Sequence, residues 1–99
     1  MPEPTLSAVI VYGPPASGKT RNREAIAEVL RCTETFDAPP PGPLSIRAES
    51  REPGRLLILL NDRKRLRTAT KALAWDGVAP VTEIHIHDVR AILGDRWVE

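Results

Sequence analysis

The sequence predicts an α/β domain with a small, mostly parallel sheet of about four strands and helices layered on both sides. Three observations predict it. Residues 7–12 (Ser-Ala-Val-Ile-Val-Tyr) and 55–60 (Arg-Leu-Leu-Ile-Leu-Leu) are continuous apolar runs, as strands buried on both faces are. Each run is followed by turn residues and then by an amphipathic helical pattern. The resulting order is β-α-β-(α)-β-α-β-α, in which helices supply the crossovers that parallel strands need.

The first strand, 7–12, is stopped by Gly13-Pro14-Pro15. A helix follows over about residues 19–31, with Ala25, Ile26, Val29 and Leu30 on one stripe and Arg21, Arg23, Glu24 and Glu28 around the rest. Residues 33–37 (Thr-Glu-Thr-Phe-Asp) are short and β-prone, giving a second strand. Five of the chain's 10 prolines lie between Pro39 and Pro53. Residues 38–54 therefore read as a connector, too stiff and donor-poor for a helix interior or a central strand. A short helix from Pro43 to Arg51 suits a crossover, whereas the alternation of Leu44, Ile46 and Ala48 suits extended chain.

The strand at 55–60 ends at Asn61-Asp62, either of which caps a helix over 63–75 with Leu66, Ala69, Thr70 and Leu73 inward. Asp76-Gly77 turns the chain, and Pro80 blocks any extension of that helix. Glu83–His87 alternates, placing Ile84 and Ile86 on one strand face and His85 and His87 on the other. Asp88 then caps a last short helix carrying Val89, Ile92, Leu93 and Trp97.

At 99 residues, 41% hydrophobic and 27% charged, the chain is one small domain, residues 1–99, or a piece of a larger fold. A single cysteine, Cys32, excludes a disulfide scaffold and reads as a small buried hydrophobe. No apolar run approaches the length of about 18 residues that a membrane span requires. The opening residues lack the basic and apolar regions of a secretory signal, so a cytoplasmic protein is expected. The net charge of +1 and a pI of about 8.0 fall short of a dedicated nucleic-acid binder, whose domain pI usually exceeds about 9.

The chemistry-bearing motif is Gly13-Pro14-Pro15-Ala16-Ser17-Gly18-Lys19-Thr20, which fits G-x-x-x-x-G-K-[ST] in full. Glycines permit backbone conformations in which successive N–H groups turn inward around a phosphate. A helix beginning near Gly18 would point its positive end at the same anion. Lys19 would reach the β- and γ-phosphates, and the Thr20 hydroxyl would complete a Mg²⁺ shell.

Residues 7–31 resemble the phosphate-binding core of the P-loop NTPases. The run Gly-Pro-Pro-x-x-Gly-Lys-Thr is similar to the Walker A loop of AAA-type ATPases, and Pro-Ala-Ser-Gly-Lys to that of small P-loop kinases. The resemblance implies a three-layer P-loop NTPase-like fold that binds ATP or GTP with Mg²⁺. It also implies a second acid for the metal. Asp62, after Leu57–Asn61, is one candidate, although Asn61 stands where the first acid is usual. Asp37, at the end of residues 33–37, is the other, with Asn61 then resembling a polar sensor residue. Either role competes with plain helix capping at Asp62.

Phosphoryl transfer is mostly positioning and charge stabilisation, and an arginine finger adds about 10³–10⁵ in rate. Arg63 is the internal candidate, since it follows a strand at its carboxyl end; Arg21 and Arg23 begin the helix after the loop. Arg63, Lys64, Arg65, Arg67 and Lys71 put five basic residues in nine, a face that suits phosphates or an acidic partner but lacks interleaved aromatics. His85 and His87 have a metal-ligand spacing without a placed third ligand. The proline cluster reads as a stiff connector, with docking to a proline-binding domain as its other use.

Two functions follow. The chain is an NTPase or kinase-like phosphotransferase, or it is a nucleotide-binding module whose occupancy controls a partner. With no room for a separate lid in this length, a trans-acting arginine is expected from a second copy of the chain or from a protein partner.

Overall fold

The computed structural model describes residues 6–14, 18–37, 54–61 and 63–98. The chain runs β1 (Leu6–Tyr12), α1 (Arg23–Val29), β2 (Glu34–Asp37), β3 (Gly54–Leu60), α2 (Leu66–Trp75), β4 (Val81–His85) and α3 (Ile86–Leu93). Short 3-10 turns, Arg63–Arg65 and Gly94–Arg96, precede α2 and follow α3. The connector expected over 38–54 lies outside the described residues except for Gly54, which opens β3.

The four strands form one sheet in the order β2-β3-β1-β4, and all three pairings are parallel. The two most apolar strands lie side by side at its centre, with Ile10 opposite Ile58. Strand alternation sends their side chains to both faces. Leu6, Ala8 and Ile10 join Leu56, Ile58 and Leu60 beneath Leu66 and Leu73 of α2. Val9 and Val11 join Leu57 and Leu59 beneath Ile26 of α1 and Ile86, Val89 and Leu93 of α3. The sheet thus carries α2 on one face and α1 with α3 on the other. Each fully buried Leu, Ile or Val contributes about 1.5–3 kcal/mol. Among the described residues, no helix is long and apolar enough to cross a membrane.

Several boundaries differ from expectation: α2 opens only at Leu66, with Arg65 at its N-cap and no side-chain cap, and α3 ends at Leu93, short of Trp97. The first helix begins at Arg23 rather than near Lys19, because Gly18 has φ +91° and residues up to Asn22 form turns. The last strand ends at His85 rather than His87. Ile86 already opens α3, and the helix is capped by His85, whose Nδ1 accepts the His87 N–H at 3.1 Å, and not by Asp88. The spacing of Ile84 and Ile86 mimics a strand because both sides of this junction feed the same core.

Helix α1 ends in two reverse bonds, Cys32 N–H to Ala27 O (2.7 Å) and Arg31 N–H to Glu28 O (3.2 Å). That pair is a Schellman arrangement, whose pivot is usually glycine. Here the pivot is Arg31 with φ +56°, a conformation that costs a side-chain-bearing residue about 1–2 kcal/mol. Arg31→Gly is expected to raise the unfolding free energy by about 0.5–1 kcal/mol, after glycine's own entropy cost is subtracted. Urea titration of both chains checks this, and an unchanged or lower stability would contradict it.

Candidate functional site

Strands β1 and β3 are neighbours, but the chain leaves their carboxyl ends for opposite faces of the sheet, toward α1 and toward α2. Such a divergence opens a crevice at the strand ends, where open α/β sheets take their ligands. A cleft of about 600 Å³ lies there. Pro14, Gly18, Lys19 and Thr20 line it from the loop, Asn61 from the end of β3, and Arg90 and Trp97 from beyond β4. The motif residues Pro15, Ala16 and Ser17 lie outside the described residues.

Lys19 is buried, 4% exposed. Its ammonium folds back on the opening of its own loop, donating to the Gly13 and Pro14 carbonyls at 3.0 and 2.7 Å. Gly13 is itself held in place, since its N–H donates to Leu60 O at 3.1 Å and extends the β1–β3 ladder by one rung. Burial pushes the Lys19 pKa below the ordinary lysine value, and the Asp37 carboxylate opposes that shift. The result is a fixed cation at the rim of a polar cleft. Burying an ammonium costs several kcal/mol, which the two carbonyl dipoles help to offset. Thr20 lines the same cleft and is exposed.

Of the two candidate carboxylates, Asp37 is the one among the described residues. Asp37 ends β2, one strand beyond β3, and its carboxylate lies 3.8 Å from Arg23. It acts on Lys19 through space and does not line the cleft. Asn61, the residue before Asp62, does line it; Asp62 lies outside the described residues. Arg63 is not brought to this cleft. It turns with α2 to the other face and lines a second cleft there. Arg21 lines the loop cleft in its place, together with Arg90 and His87.

Asn22 is the other buried polar side chain among the described residues, 2% exposed. Its Nδ2 donates to Gly18 O (2.9 Å) and Val98 O (2.8 Å), and its Oδ1 accepts the Val98 N–H at 2.7 Å. This amide ties the C-terminal segment to the glycine of the loop. The Trp97 ring lies against the same glycine, so a Cβ added at Gly18 would come 2.8 Å from Trp97 Cζ2. Gly18 is required by its φ and by this close approach. The Arg90 guanidinium sits 5.7 Å from the Trp97 ring centre. One sign of Asn22 was present in the sequence: it shares the inward stripe with Ile26, four residues on, where an apolar residue would be usual. Arg90 and Trp97 reach the loop only through tertiary packing.

The remaining chemical candidates fall elsewhere. His85 and His87 are not paired on one strand face; their rings stack at 5.0 Å, with Tyr12 edge-on to His85 at 5.2 Å. Among the described residues, no group of three or more His, Cys, Asp or Glu side chains is placed to hold a metal. Cys32 is half-buried, and burial pushes its thiol pKa up against the pull of Arg55.

Removing the Asn22 amide would strand the Val98 N–H and two carbonyls in a half-buried place. Asn22→Ala is expected to cost about 1–3 kcal/mol and to move Trp97 emission to the red. Trp75 is 91% exposed and would contribute a constant background. Unshifted emission in a Trp75→Phe chain carrying Asn22→Ala would show that the amide does not hold the C-terminal segment. No protein-family model, curated protein or solved structure matches the chain.

Proposed function

We propose that the chain binds a nucleoside triphosphate, ATP or GTP, with Mg²⁺ through Gly13–Thr20, as a P-loop NTPase-like protein, and hydrolyses it slowly. The observation that carries this reading is the buried Lys19 ammonium, anchored on the Gly13 and Pro14 carbonyls at the edge of a cleft of about 600 Å³. Its position after a buried parallel strand, at a strand-end crevice, is the context in which a G-x-x-x-x-G-K-T loop works.

In this reading Lys19 holds the β- and γ-phosphates by a charge-assisted contact. Thr20 and Asp62 would hold Mg²⁺, which draws charge from the transferring phosphoryl group when bound. Arg21 and Arg90 add positive potential to the same cleft. The adjacency of β3 to β1 favours the carboxyl end of β3 over Asp37 for the metal-side acid. A second reading is a nucleotide-responsive module without turnover. It is favoured by the Asn22–Val98 clasp, which couples the loop to the C-terminal segment.

The test is equilibrium binding of Mg-ATP and Mg-GTP beside phosphate release. Lys19→Ala is expected to weaken binding by about tenfold or more and to abolish release. Asp62→Ala is expected to abolish release and spare metal-free nucleotide binding. Affinity should be full where Lys19 is protonated and fall as pH rises through its lowered pKa, before an ordinary lysine at 10.5 gives up its proton. Binding without release supports the module, and no affinity at millimolar nucleotide overturns both readings.

A further inference from the structure

We propose that the outer face of α2 and the turn before it bind single-stranded nucleic acid, independently of the nucleotide reading. Arg67, Lys71 and Trp75 stand at intervals of four on α2, so they share one helix face, and all three are exposed. With a rise of 1.5 Å per residue, they follow one another about 6 Å apart along the axis. Arg63 and Lys64 extend the row into the preceding turn. Trp75 is 91% exposed, against 54% for Ile92 and 56% for Val98, so its indole presents nearly its whole surface to water. The sequence showed no aromatic within the basic run; the fold places one a single turn beyond Lys71.

Charge selects the occupant. The whole chain is only +1, yet five of its 14 Lys and Arg residues fall within Arg63–Lys71, and no acid lies between Asp62 and Asp76. The other nine Lys and Arg are outnumbered by the chain's 13 Asp and Glu, so this run is a concentrated basic patch on a chain of nearly neutral charge, and it attracts a polyanion. A cleft of about 430 Å³ lies between α2 and edge strand β4, lined by Arg63, Arg67, Lys71, Leu66, Thr70 and Glu83. Glu83 is the acid of that lining, and its Oε1 is engaged at 3.0 Å by the Thr70 hydroxyl. Cations in a row take phosphates, and an aromatic face in water takes an unpaired base. A duplex hides its base faces, and an acidic peptide has no base to stack, so the combination fits a single strand.

The experiment titrates the full chain with a labelled oligothymidylate at low salt, reading anisotropy and tryptophan emission. Emission should be quenched on binding, and the quenching should vanish in Trp75→Phe. Trp75→Ala should weaken binding about tenfold. Arg67→Glu with Lys71→Glu should weaken it further and flatten its salt dependence, whose slope is about −0.7 per neutralised phosphate. Lys19→Ala should leave strand binding unchanged, which separates this face from the loop. Binding lost in Lys19→Ala, binding indifferent to the α2 variants, or equal affinity for duplex or polyglutamate would overturn the proposal.

Discussion

Two adjacent strands without an exposed face constrain everything else. Leu56–Leu60 of β3 are all buried, as are Ala8–Val11 of β1. Their backbone groups need partners on both sides, which β2, β4 and each other supply. Their side chains need cover on both faces, which α2 gives on one and α1 with α3 give on the other. No charge can sit along such strands without a large desolvation cost, so polar chemistry is displaced to their ends. At the carboxyl ends the chain diverges to opposite faces, and the loop cleft is the gap that remains.

The ends of the loop are anchored on that pair. Gly13 continues the ladder to Leu60, and Lys19 closes back on Gly13 and Pro14, so the start and end of the motif are tied to the sheet. Asn22 and Trp97 fasten the same turn to the C-terminal segment. A cation held this way is positioned before any ligand arrives, which reduces the ordering cost of binding an anion. The opposite face follows different rules: its cations lie along an exposed helix, suited to an extended polyanion rather than to a pocketed one.

Much of this was legible in the sequence, and what was not has physical causes. The β1 and β3 runs stand out because burial on both faces leaves no polar positions to confuse the period. The loop stands out because each of its residue types has a geometric duty. The start of α1 was hidden, since it depends on the left-handed conformation of Gly18 and on Asn22 bonding to Val98, 76 residues away. The end of β4 was hidden by Ile84 and Ile86, which satisfy a period of two across a strand–helix junction. Arg63 follows a central strand, as a site residue should, but α2 leaves toward the other face and carries it away. Arg90 and Trp97 have no local signature at all.

The role proposed for the fixed Lys19 cation and its loop is to receive a phosphate chain. Amide-resolved NMR titration of the whole chain with Mg-ATP tests it most directly. Saturable shifts centred on Gly13–Thr20 and Asn61, extending to the Trp97 indole, are expected, with their loss in Lys19→Ala. Saturable shifts centred on α2 instead, or none at millimolar nucleotide, would contradict it.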